Sequence, residues 1–178
     1  DRTFAVDAGT ATAQFMTTVG NSQAFADFDV TGGTIRLGSN LTVNDGAAAT
    51  TTLTGNVQLD GDVTVNLDGS ADHGLTITGT VNADAAGSNR NFQITAGTGA
   101  VDLQGNVGTT AAVDSLIVVS SGTTDLQSVD TRDGGISITA TTINLEGSTL
   151  RTDDLDGSGN AGNVALNGNV VLKTDVSI

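Results

Sequence analysis

Cysteine, proline, tryptophan and tyrosine are all missing from these 178 residues, and aromatic side chains make up only 3% of the chain. Without cysteine there are no disulfides and no thiolate metal sites. Without Trp or Tyr there is nothing bulky to fill a wide core or line a deep pocket, so the interior must be narrow and uniform. Positive charge is scarce as well: 6 Lys and Arg stand against 20 Asp and Glu, for a net charge of −14. Nucleic acid needs a basic footprint that this chain does not have, and anionic membrane surfaces are disfavoured for the same reason. No apolar run approaches the roughly 20 residues of a membrane span, so membrane insertion is not expected. Charged residues are only 15% of the chain, too few for a disordered acidic tail. Asp1 follows no initiator Met or signal peptide and the last residues fall mid-repeat, so the chain reads as a piece of something longer.

What is present is glycine, 24 residues of it, beside Val, Leu, Ile, Ala and Thr. That set suits pleated strands and disfavours long helices. Its arrangement has period two. TIRL (34–37), VQL (57–59), VTV (63–65), LTI (75–77), FQI (92–94), VDL (101–103), ISI (136–138) and VVL (170–172) each put two apolar residues around one middle residue. Such short alternation predicts short strands with one face buried. Turn signals such as GSN, NDG, LDG and DGG separate them.

Successive strands often begin six residues apart, as in Ile35 and Leu41, or Thr51, Val57 and Val63, or Val164, Val170 and Val176. Two inward residues and a short corner use six residues. Three such sides make a coil of about 18 to 20 residues, and stacked coils make a β-solenoid. The expected fold is therefore all-β, a right-handed parallel β-helix of about seven irregular coils. Leu75, Phe92, Leu116 and Ile136 are expected to start coils and to stack as one internal ladder. Residues 68–74, 82–91 and 151–163 are read as outward bulges. TGNVQLDGDVTV (54–65) matches NGNVVLKTDVSI (167–178) without a gap, 113 residues on, as repeated templates would. Residues 1–31 hold four of the five Phe and the one Met, and form an atypical amino-terminal segment, a cap or diverged array. Residues 32–178 form the repeat array.

DVTVNLDGSADHGLTITGTVNA, GAVDLQGNVGTTAAVDSLIVVSSGTTDL and GGISITATTINLEGSTLRTDDLDGSGNAGNVALNGN carry a loose pattern of G-N-V, L-x-G and alternating Leu, Thr and Ile. In this the chain resembles the filamentous-haemagglutinin-type large exoproteins, giant bacterial surface adhesins, over about residues 32–178. The resemblance implies an extended β-helical rod, extracellular placement at the bacterial cell surface, and a role in adhesion, biofilm or matrix. It carries over no site residues, and the family's amino-terminal secretion domain is not evident.

For chemistry the residues offer little. His73, the single histidine, lies in DGSADHG and is expected to be a solvated loop residue. Basic residues such as Arg36, Arg90, Arg132, Arg151 and Lys173 are scattered, and no aromatic platform suits sugar rings, so no catalytic residue is assigned and the chain is read as a non-enzyme. Calcium is the one cofactor with candidate ligands: Asp153, Asp154 and Asp156 in RTDDLDGSGN, then Asp68 with Asp72, and Asp130 with Asp133. Hard cations take several oxygens from a flexible loop, yet Asp-Gly is also a plain turn signal. Outward Thr76, Thr78, Thr139, Thr141 and Thr142 raise ice binding, against which β-propensity is the simpler account. The expected function is a structural shaft or fibre segment of a secreted adhesin, with end-to-end self-association or a longer chain covering its last edge. The alternative is a module for calcium or for host or matrix glycans, and behind that a polysaccharide-acting enzyme or an ice-binding protein.

Overall fold

The computed structural model describes residues 2–43, 49–67, 73–153 and 161–178. Among them every named strand pairing is parallel. The strands stack on three faces, and the chain visits the faces in a fixed order. This is a β-solenoid, as the alternation predicts.

The first face runs through β1 (Thr3–Asp7), the start of β3 (Asp27–Leu37), the start of β5 (Thr50–Leu59), β7 (Gly74–Ile77), β10 (Val101–Leu103) and β12 (Thr123–Leu126). It continues into the end of β13 (Val129–Leu145) and the end of β15 (Val164–Leu172). The second face takes β2 (Thr12–Phe15), the ends of β3 and β5, β8 (Val81–Ala83), the isolated bridge at Val107, the start of β13 and β14 (Leu150–Arg151). The third takes β4 (Leu41–Thr42), β6 (Val63–Asn66), β9 (Asn91–Thr95), β11 (Val113–Val119), the middle of β13 and the start of β15. Face one steps seven times, and face three, counted from the isolated bridge between Val19 and Leu41, steps six times, so the chain makes between six and seven turns. At about 4.8 Å per stacked strand, six turns rise roughly 30 Å.

Inward residues stack into ladders because each coil is in register with the next. Val6, Val30, Leu53, Ile77, Leu103, Leu126, Leu145 and Leu172 form one. Ala13, Ile35, Val57, Val81, Val107, Val129 and Leu150 form another. Burial of these apolar side chains, at about 25 cal/mol per Å², is the main stabilising term. A strand pair isolated from the stack would bury only one side of each ladder, so each coil depends on its neighbours.

The six-residue spacing is the step from one face to the next: Thr51, Val57 and Val63 lie on faces one, two and three. The coil itself is longer than the expected 18 to 20 residues. Partners are 24 apart at Thr51 and Leu75 and 26 apart at Leu75 and Val101, and the expected length is met only toward the carboxyl-terminal half, at 20 for Leu116 and Ile136 and 19 for Leu126 and Leu145. The corners between faces two and three and between faces three and one absorb the surplus. The corner between faces one and two stays tight because glycine recurs there. A Cβ on Gly55 would meet the carbonyl oxygen of Gly32 at 1.8 Å, one on Gly79 that of Gly55 at 2.4 Å, and one on Gly105 that of Gly79 at 2.3 Å. Gly55 also adopts a φ of +137°, which side chains rarely tolerate.

Two expectations need correction. Leu75 does not join the Phe92 ladder: Val63, Phe92, Leu116, Ile136 and Val164 stack on face three, whereas Leu75 stacks with Thr51 and Val101 on face one. The long corner at 84–90 separates Leu75 and Phe92 by two faces, so their spacing of 17 is not a coil. The matching stretches at 54–65 and 167–178 also sit out of phase, with Val57 on face two and Val170 on face one. The repeated unit of the sequence is one side and one corner, not one turn.

At the amino-terminal end, β1 and β2 are ordinary in-register rungs whose interior is aromatic. Phe4 stacks on Phe28 with centroids 5.3 Å apart and planes 7° apart, and Phe15 and Phe25 pack against Phe28 at 5.3 and 6.1 Å. Of the expected bulges, 82–91 narrows to a largely exposed corner at 84–90 between β8 and β9, and 68–72 and 154–160 lie outside the described residues.

Candidate functional site

The ends of β3 and β5, with β8, build a polar surface on the outer side of face two. Alternation aims Val57 and Ala83 inward, and therefore aims Asn56, Gln58 and Asn82 outward. The corners that follow rise beside them. Together Thr34, Asn56, Gln58, Thr80, Asn82, Asp84 and Thr110 line a cleft of about 380 Å³.

Hydrogen bonds fix the floor. Thr80 donates through its backbone N to Asn56 Oδ1 at 3.1 Å and through its hydroxyl to the same oxygen at 3.2 Å. Asn82 Nδ2 donates to Thr80 Oγ1 at 3.1 Å. Asn82 Oδ1 accepts from the backbone N of Thr110 at 3.0 Å and of Ala111 at 3.2 Å, which ties the next coil's corner to this one. Gln58 Nε2 donates to Asp60 Oδ1 at 2.9 Å, and Arg36 Nε to Asp60 Oδ2 at 2.8 Å.

Asp84 closes one side. Arg90 grips both its oxygens, at 2.8 and 3.1 Å, and these bonds hold the carboxyl at about 2, below the ordinary carboxylate range. A carboxylate held ionised this firmly supplies fixed charge, not a proton to exchange near neutrality. The scattered arginines thus have local duties: Arg36 with Asp60, Arg90 with Asp84, and Arg151 with Asp130 at 3.2 Å.

The predicted calcium ligands are not brought together within the described residues. Asp153 is half-buried, and its Oδ1 has no hydrogen-bond partner there. Asp154 and Asp156 lie outside the described residues, as do Asp68 and Asp72. Asp130 is engaged by Arg151, and Asp133 is exposed. Among the described residues no three His, Cys, Asp or Glu side chains gather as a metal site.

His73 is not a solvated loop residue. It is 2% exposed, and its Nε2 lies 3.0 Å from the hydroxyl of the fully buried Thr51. Thr51 stands where an aliphatic residue would fit the ladder, and the imidazole satisfies its hydroxyl. Gly99, one coil on, leaves room: a Cβ there would meet the His73 carbonyl oxygen at 1.9 Å. The threonines suggested for ice do not form one array. Thr76 is followed by Asp102 on the next coil, and Thr139 and Thr142 lie on different faces.

The amides of the cleft escaped the sequence reading because Gln58 and Asn82 look like ordinary middle residues of VQL and VNA. The signal that would have found them is the glycine period, 32, 55, 79 and 105, which sets the register and stacks those residues on one face.

No family model, no curated protein and no solved structure matches this chain. Among the described residues no helix is long and apolar enough to cross a membrane.

Proposed function

We propose that this chain is a structural, non-catalytic shaft segment of a bacterial cell-surface or matrix protein, placed outside the cell. The observation that carries this reading is the unbroken aliphatic ladder from Val6 to Leu172, in register through every coil. Such a column is stiff along its axis, since bending it strains backbone hydrogen bonds on all three faces at once. Its job is to hold distance: to project a binding tip, or to join further coils into a fibre.

The last rung supports the second part of that job. Leu172 is 60% exposed although it continues the ladder, and Val170 beside it is exposed too. A strand edge with apolar ladder positions left open is a template for another strand. In the native setting that rung is covered by further chain or by a second subunit.

Electron microscopy of the purified 178 residues, with and without calcium, tests the proposal. Rods or filaments of one uniform width are the expected result, filaments meaning that subunits stack. Particles of no common width, or irregular aggregates at every concentration, would overturn the shaft. A calcium-dependent melting curve on the same samples decides the role of Asp153, Asp154 and Asp156: a large upward shift makes them ligands, and no shift makes them turn residues.

A further inference from the structure

We propose that the cleft on face two is a binding site for a neutral polysaccharide segment. The inference stands on the cleft alone and does not depend on the shaft reading.

The lining removes the other ligand classes one at a time. A purely apolar ligand would leave the amides and hydroxyls of the lining without partners, while the aliphatic floor faces the interior, with Val57 1% exposed. A cation would need a free carboxylate, and both oxygens of Asp84 are held by Arg90. An anion would need a free cation, and Arg36 and Arg90, the two beside the cleft, are bonded to Asp60 and Asp84 in a chain of net charge −14. What remains are hydroxyls and amides. Sugar hydroxyls both donate and accept, and amide and hydroxyl side chains answer both needs.

Three features make this more than a polar stretch of surface. The volume, about 380 Å³, falls at the lower end of the usual range for ligand pockets. The groups are held in advance: the chain of bonds from Asn56 through Thr80 and Asn82 to the corner at Thr110 leaves little side-chain freedom to lose on binding. That network leaves Asn56 Nδ2, Gln58 Oε1 and the Thr34 and Thr110 hydroxyls to meet a ligand. The lining also comes from four successive coils, which at about 4.8 Å per strand is a track of roughly 14 Å along the axis. A linear polymer laid along the axis meets a fresh amide or hydroxyl at each rung. Without an aromatic platform the affinity is expected to be modest and to grow with the number of rungs that one glycan spans.

The test is titration of the intact chain with cellohexaose, mannohexaose and maltohexaose, read by the side-chain amide signals of Asn56, Gln58 and Asn82 in heteronuclear NMR. Saturable shifts confined to face two, with at least one of the three sugars, are expected. Gln58→Ala and Thr110→Ala should each weaken binding about fivefold or more; the exposed Thr110 should leave the melting temperature unchanged, and Gln58→Ala, which gives up one hydrogen bond to Asp60, should lower it by only about a few degrees. A charged control, a polygalacturonate oligomer, should bind less well. Absence of cleft shifts with all three neutral sugars would overturn the proposal. So would binding unaffected by both variants, or stronger binding of the acidic oligomer.

Discussion

The two ends of the solenoid solve the same problem differently. At the amino-terminal end the ladders stop at aromatic rings: Phe4 lies flat on Phe28, Phe15 and Phe25 close in around it, and Phe28 is fully buried. At the carboxyl-terminal end they stop at aliphatic side chains, with Leu172 60% and Ile178 79% exposed. A few large rings cover what small branched residues cannot. Four of the five Phe in the chain serve this one end. The first rung is therefore covered in part by its own rings, with Phe4 36% exposed, whereas the last rung leaves Leu172 60% exposed.

Truncation at each end gives the largest expected effect. Phe28→Ala removes a fully buried ring shared by three aromatic neighbours and should cost about 3–5 kcal/mol in chemical denaturation. Leu172→Ala trims an inward side chain on the open last rung of the same face and should cost about 0.5 kcal/mol or less in dilute solution. If Leu172→Ala costs as much as Phe28→Ala, the carboxyl-terminal rung is already covered in solution, and the contrast between the ends is false.

Much of this architecture is legible in the sequence, for one physical reason. Alternation reports which side chains face inward whatever the strands pair with, so VQL, LTI and FQI declare themselves. The six-residue step is equally local, being two inward residues and a corner. Coil length is not local. It depends on corners such as 84–90, whose length no strand dictates, and this is why the spacing of Leu75 and Phe92 does not report a coil. The burial of His73 is hidden for a related cause: a loop composition says nothing about a buried hydroxyl 22 residues away that needs a partner. The cleft needed the register as well, because Gln58 and Asn82 become neighbours only when β5 and β8 are stacked.

A smaller effect compares two points on one column. Thr51 and Thr124 occupy the same ladder on face one, joined through Leu75 and Val101, and both are fully buried. Thr51, nearer the aromatic end, has His73 as its partner; Thr124 Oγ1, nearer the open end, has no hydrogen-bond partner among the described residues. Replacement by Val keeps the shape and removes the hydroxyl. Thr124→Val should therefore stabilise the fold by about 1 kcal/mol, and Thr51→Val should destabilise it by about 1–3 kcal/mol by stranding a buried ring nitrogen. Equal signs for the two variants would mean that the partner, not the hydroxyl, has been misassigned.

The smallest effect is in pH, and it again separates the aromatic end from the middle. Burial and the neighbouring Asp29 raise the carboxyl of Asp27, at the start of the second coil. Arg90 lowers that of Asp84, at the cleft, to about 2. A raised carboxyl binds its proton more tightly folded than unfolded, so its contribution is complete below the ordinary value of 3.8 and is lost as pH rises through the folded value. A lowered carboxyl does the reverse: its contribution is present above 3.8 and disappears as pH falls toward about 2. Melting curves between pH 2 and pH 7 should then show Asp27→Asn above the parent at neutral pH and level with it in acid. Arg90→Gln should lie below the parent at neutral pH and converge with it near pH 2. Both groups are largely solvated, so each shift should amount to about a degree or two. An Asp27→Asn variant less stable than the parent at neutral pH would show that the carboxylate is wanted at the aromatic end for its bond to the Phe28 N–H, at 2.9 Å, more than burial disfavours its charge.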